Sequence, residues 1–295
     1  MGLGSDAITL LIELKKAGHI GESSAVMEIG AQQLANSFLD YREGLDELAK
    51  LYEVSAPCTL PQRQATHIVH GSLEHQNANA PRAEQFWQWL GFSYASIDID
   101  GSPGSIPLDL NYDDVPEAAQ GKYPLVTNFG TTEHVANQLN AFKVIHELTA
   151  HEGVMIHHLP TQGMFNHGLV NYNPKFFWML ARSNGYQLVH MNFVSGDSFY
   201  TLPQNILDNV EAFEAHAGKR LEHYKASDCL LVVALKKKYD IPFVAPIDVP
   251  TGDKINNKVL EERYWTVFQP DAFRNYKVKE LITSPFSKIK KRLWG

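Results

Sequence analysis

Residues 26–34, Val-Met-Glu-Ile-Gly-Ala-Gln-Gln-Leu, read as a buried strand that ends in an acid and a glycine-bearing turn. A second apolar run, residues 94–97, ends on Asp98, whose carboxylate could accept hydrogen bonds from the two hydroxyls of a ribose. A third, residues 125–127, ends on Asn128 and is followed by Gly130, Glu133 and His134. In open α/β sheets ligands bind just beyond the carboxyl ends of the strands. The pattern is therefore an expectation about a nucleotide-type site as well as about a fold.

The rest of the chain falls into register behind that run. Apolar residues at helical spacing over 7–17 predict a helix ahead of the first strand. Residues 32–54 continue helically, with Leu34, Phe38, Leu45, Leu48 and Leu51 on one face. Residues 55–80 contain Pro57, Pro61 and Gly71 among many polar side chains, and read as an irregular insertion over the site. Pro81 suits the start of a helix over 83–90, which Gly91 closes. A helix is expected over 135–150, then a strand over 154–156 ending at His157 and His158, with Pro160 preventing its continuation. A helix over 174–184 precedes strands over 185–193 and 230–235.

A chain of 295 residues, 44% of them hydrophobic, can bury the core of one large α/β domain with an inserted or appended part. It has no apolar run of about 18 residues and no signal-peptide pattern, so a soluble, cytoplasmic protein without integral membrane association is expected. Cys58 and Cys229 are far apart and form no CxxC pattern, so neither a disulfide framework nor a zinc knuckle is expected. A formal charge of -7 disfavours nonspecific nucleic-acid binding, and no nucleic-acid partner is expected. Lys288, Lys290, Lys291 and Arg292, interleaved with Phe286, Ile289, Leu293 and Trp294, read as a solvated tail, with weak contact to a membrane surface or partner as the alternative. The oligomeric state, a homo-oligomer included, stays open.

Glu28, Ile29 and Gly30 come first, then residues 94–100, then Pro107, Leu108, Asp109, Leu110 and Asn111, then residues 123–135 with Glu133, His134 and Val135. In this order they resemble the class I S-adenosylmethionine-dependent methyltransferases, over residues 25–238. They look like the family's first motif, its second strand, the acidic loop beside the adenine, and strand four with its turn. Glu133, His134 and Val135 are similar to the Glu-His-Val of the ubiquinone-biosynthesis-like branch. The chain departs from the pattern where Ala31, Gln32 and Gln33 replace further glycines and where Pro124 replaces the acid common on strand four. The resemblance implies a Rossmann-like seven-stranded sheet with helices on both faces and the last strand antiparallel beside the sixth. It divides the chain into an N-terminal helix over 1–24, a methyltransferase-like domain over 25–238 with an inserted lid region over 41–80, and a C-terminal extension over 239–295.

The implied cofactor is S-adenosyl-L-methionine. Glu28, Gly30 and Gln32 would serve its methionine end, Asp98 its ribose, and Asp109 with Leu110 its adenine. Asp100 competes with Asp98, since a spacing of two puts both on one face of a strand. Asn128 would meet the cofactor or the acceptor, or simply form the turn. Methyl transfer needs donor and acceptor aligned and water excluded, and an alcohol acceptor gains from a histidine base. His134, His157, His158 and His167 compete for that role, with His158 or His167 favoured and His134 the more structural. Asn166, Asn171, Tyr172 and Asn173 suit a polar small-molecule acceptor, methylated at oxygen and sugar-like, with nitrogen the nearest variant. His157, His158 and His167 could converge on a metal, as could His67, His70 and His75, but no HExxH or comparable spacing supports one and none is expected. Two other classes stay in view: a noncatalytic binding protein on the same fold, and a nicotinamide-dependent oxidoreductase. The latter lacks GxGxxG, and its acid comes far later than about 20 residues on.

Overall fold

The computed structural model describes residues 2–22, 24–59, 81–99, 104–164, 167–195, 198–201, 228–250 and 257–276. Asp100, Asn166, the histidines at 67, 70 and 75, residues 60–80 of the expected lid and the basic tail lie outside them. Among the described residues eight strands form one sheet: β1 (Ala25–Ile29), β2 (Ser93–Ile97), β3 (Ser105–Ile106), β4 (Tyr123–Phe129), β5 (Thr149–Gln162), β6 (Tyr186–Ser195), β7 (Ser198–Thr201) and β8 (Cys229–Lys237). Their order is β3-β2-β1-β4-β5-β8-β6-β7. The first five are mutually parallel, and β8 runs antiparallel between β5 and β6. This is the expected Rossmann-like arrangement with its antiparallel last strand, and β7 adds a short hairpin on the edge of β6.

Alternation along the strands divides the core into two layers. Val26, Leu125, Phe129, Val154, Ile156, Val232 and Ala234 face one layer, with α1 (Ser5–Lys16), α2 (Asn36–Asp40), α3 (Arg42–Leu51) and α4 (Ala83–Trp89). Met27, Val126, Met155, Leu231, Val233 and Leu235 face the other, with α5 (Gln138–Leu148) and α6 (Pro174–Asn184). Burial on both faces explains why these strands read as continuous apolar runs. Beyond β8 the chain runs back along α6, where Asn184 exchanges hydrogen bonds with the Val244 backbone; two short helices follow, α7 (Lys258–Arg263) and α8 (Trp265–Phe268), and Thr266 of α8 donates to Ser183 O. No helix among the described residues is long and apolar enough to cross a membrane, and both cysteines are free.

Three sequence boundaries move. The helical pattern over 32–54 is broken at Tyr41 (φ -81°, ψ 65°) into α2 and α3, and α3 buries its Leu45 and Leu48 in the same layer as α1. The helix expected from 135 starts at Gln138, because a 3-10 turn, Thr132–His134, comes first and the Asn137 side chain caps α5 by accepting from Asn140 N–H. Pro160 does not end β5. The β4 ladder stops at the Phe129–His158 pair, so Pro160 lies past it, paired with β8 alone, and a register shift before Gln162 absorbs the irregularity.

Candidate functional site

Four chain segments follow the carboxyl ends of β1, β2, β3 and β4 and line a cavity of about 550 Å³, which suits a nucleoside-sized ligand. Gly30, Ala31 and Gln32 come from the turn after β1, and Ile97, Asp98 and Ile99 from the end of β2. Leu108 to Asn111 supply the third wall; Gly130, Thr131, His134 and Val135 supply the fourth. Of the residues expected from sequence, the structure brings Gly30, Gln32, Asp98, Asp109, Leu110 and His134 to this one cavity.

The glycine turn is built for close approach. Gly30 has φ +78°, and a Cβ there would collide with the Thr131 hydroxyl and the Gln32 amide. Thr131 donates to Ile29 O at 2.6 Å and accepts from Gln32 Nε2 at 3.1 Å, tying the β1 and β4 turns together. Asp98 accepts from Ala31 N–H through Oδ2 at 2.9 Å, so its carboxylate is oriented at the cavity's floor. The third wall is pinned to the start of α5: Asn137 N–H and Nδ2 donate to Asn111 Oδ1 and O, and Asn140 donates to Leu110 O and Asp113 O. Asp109 Oδ1 accepts from Asn111 N–H at 2.8 Å.

Glu28 and Asn128 do not reach the cavity wall. Glu28 is fully buried beneath the turn and accepts from Gln32 N–H (2.9 Å), Tyr94 OH (2.7 Å) and Trp87 Nε1 (3.3 Å). Burial pushes its carboxyl up to about 7 against those hydrogen bonds. Its place is to hold the turn's backbone from below. Asn128 closes the turn after β4, accepting from Thr132 N–H and donating to Thr132 Oγ1 and towards His157 Nδ1 at 3.2 Å. Tyr172 is likewise buried, its hydroxyl hydrogen-bonded with Thr132 Oγ1 (2.9 Å) and Gln138 Oε1 (2.5 Å). Asn171 bonds Gly163 O at 2.9 Å.

The histidines fall into three environments. His157 faces the α5 and α6 layer against Phe142 and Phe177, where burial drives its pKa down to about 3. His158 faces the other layer, beside the Phe129 ring, with Nε2 2.9 Å from Asp6 Oδ2 in the first turn of α1. Burial raises the Asp6 carboxyl, but the hydrogen bond and charge of His158 outweigh it and leave it below its ordinary value. His134 and His167 form the third group around Glu133, with Nε2 atoms 3.8 and 3.6 Å from Glu133 Oε1. Their ring centroids are 5.3 Å apart, and burial lowers both pKa values. Glu133 is 0% exposed. Neither of its carboxylate oxygens has a hydrogen-bond partner, and burial pushes its carboxyl up to about 7. Asp6 carries no signal in sequence because its partner is remote along the chain; Glu133 stood in the strand-four motif, but its burial does not.

Residues 60–206 match the model of a methyltransferase domain family. No curated protein matches this chain in sequence. Among solved structures, the chain is similar to 1,6-didemethyltoxoflavin-N1-methyltransferase of Burkholderia thailandensis, crystallised with 1,6-didemethyltoxoflavin and S-adenosylhomocysteine. That pair shares 11% identity over 79% of this chain and 79% of that one, with a TM-score of 0.40. A SAM-dependent methyltransferase of Archaeoglobus fulgidus shares 12% identity over 78% of this chain and 94% of that one, with a TM-score of 0.37. One from Mesorhizobium loti shares 11% over 76% and 96%, with a TM-score of 0.34.

Proposed function

We propose that this chain, whose residues 60–206 match a methyltransferase domain, is a class I methyltransferase that takes S-adenosyl-L-methionine as methyl donor and methylates an oxygen of a polar, hydroxyl-bearing small molecule. The observation that carries the reading is the convergence of Gly30, Asp98, Asp109 and Leu110 on one cavity whose remaining wall carries His134. In this reading the ribose hydroxyls bond the Asp98 carboxylate, the adenine lies along Asp109 and Leu110, and the methionine end meets Gly30 and Gln32. The sulfonium methyl then points towards the wall that carries His134, with Glu133 and His167 behind it.

The cofactor supplies an activated methyl group, and the chain's own residues orient it and exclude water. Attack by a hydroxyl oxygen requires a proton to leave it. His158, held by Asp6, and His167, beside Glu133, are the groups we assign to that step. Asn171 faces solvent in the His167 loop and is assigned to the acceptor's rim. Incubation with S-adenosylmethionine labelled at the methyl carbon and a panel of polyols, sugars, phenols and amines tests the class. A labelled methoxy signal supports oxygen transfer, whereas a labelled methylamine signal contradicts it. His158→Ala and His167→Ala should each lower turnover by ~10²-fold while leaving cofactor affinity unchanged if that histidine serves the proton.

A further inference from the structure

Glu133 presents a problem that the methyl donor does not solve. A buried carboxylate without a donor at hydrogen-bonding distance is costly, and the groups facing this one are the imidazole nitrogens of His134 and His167, at 3.8 and 3.6 Å. One donor atom from each of Glu133, His134 and His167 lies within 4.8 Å of the other two. Two donors bound about 2.0–2.2 Å from one tetrahedral ion sit roughly 3.4 Å apart, so the 3.6 and 3.8 Å carboxylate–imidazole separations need a closure of a few tenths of an ångström, and the two imidazole nitrogens, within 4.8 Å of each other, one of at most about 1.4 Å. The loop is fixed for this. Leu169 and Val170 N–H groups donate to Glu133 O at 2.7 and 3.1 Å, and a side chain at Gly168 would meet Glu133 Cγ at 2.9 Å.

We propose that Glu133, His134 and His167 hold a divalent transition-metal cation beside the methyl-donor cavity. Two imidazoles and one carboxylate suit Zn²⁺, Mn²⁺, Co²⁺ or Fe²⁺ and leave coordination positions open. The inference rests on the methyltransferase reading for its purpose: the acceptor hydroxyl takes an open position, and the cation lowers its pKa. Its O–H proton passes to His158, the histidine left once the other two are ligands. The oxygen lone pair forms the bond to the methyl carbon as the carbon–sulfur bond breaks, and that electron pair leaves on sulfur as S-adenosylhomocysteine. No oxidant or reductant is required. The proposal departs from the expectation of no metal drawn from sequence spacing, because His134 and His167 meet through tertiary packing rather than through a local motif.

The full chain, freed of any affinity tag and stripped with chelator, is titrated with Mn²⁺ and with Zn²⁺ by calorimetry. One ion per chain is expected, with affinity reduced at least tenfold by Glu133→Gln and by His167→Ala and unchanged by His151→Ala, an exposed histidine elsewhere. No binding of either ion, or binding indifferent to both ligand variants, overturns the site. Visible absorption of the Co²⁺-loaded unaltered protein gives a second readout independent of variant folding: four- or five-coordinate d–d bands support the site, and a six-coordinate aqua spectrum contradicts it. S-adenosylhomocysteine is titrated separately. Metal binding without nucleoside binding would overturn the methyltransferase reading while leaving the cation site standing.

Discussion

Asp98 and Gly30 carry the most at the scale of single residues. The Asp98 carboxylate is oriented by the Ala31 N–H, and charge-assisted hydrogen bonds to ribose hydroxyls contribute about 1.5–3 kcal/mol each. Asp98→Ala should therefore weaken S-adenosylhomocysteine binding at least tenfold, and by more than Asp100→Ala; the reverse ranking in calorimetry would place the ribose on the other carboxylate. Gly30→Ala meets both a positive φ and the Thr131 hydroxyl. It should lower cofactor affinity by a similar factor while far-UV circular dichroism stays native, and unchanged affinity would show that the turn does not approach the ligand. Glu28 acts through the backbone of that turn, so its role is positioning.

At the scale of elements, α5 does more than cover the sheet. Its cap Asn137 also bonds Asn111, so one side chain ends the helix and fixes the wall that carries Asp109 and Leu110. Asn137→Ala should cost about 1 kcal/mol of stability and weaken nucleoside binding as well. A lower melting temperature with intact affinity would separate the two roles and refute the second. The strands of the site were legible from sequence because each is short, apolar and buried on both faces, then stops before Gly30, Asp98 or Gly130. The acceptor side was not. The links of Asp6 to His158 and of His167 to Glu133 join elements remote in sequence, and periodicity carries no information about them. Tyr172 and Asn128 looked like ligand groups because exposure cannot be read from residue type, whereas packing turns both inward. Pro160 misled for a related reason: a proline is tolerated where a neighbouring strand has ended.

For the whole molecule, buried histidines set the response to acid. His146 and His157 are pushed down to about 3 and His190 to about 4 by burial, from an ordinary value of 6.5. Above that value both folded and unfolded states are neutral. As pH falls below it the unfolded chain takes up protons that the native chain refuses, and stability is lost until the folded pKa is reached. Glu28 and Glu133 work in the opposite sense: raised from 4.5 to about 7, each binds its proton first in the native state and adds stability as pH falls through that window. Three histidines oppose two glutamates, so these groups together should still make stability fall as pH drops from 6.5 towards 4, by a net of about one proton. His157→Gln should flatten the limb by up to one proton, about 1.4 kcal/mol per pH unit, in urea unfolding across that range; an unchanged slope would mean that His157 titrates normally in the folded chain. The central claim is that the cavity between β1, β2 and β4 is a methyl-donor site, and direct calorimetric titration with S-adenosylhomocysteine, with NAD as a comparison ligand, tests it. One site per chain for the thioether, abolished or strongly weakened by Asp98→Ala and absent for NAD, is the predicted result; no heat and no thermal shift at millimolar ligand would contradict it.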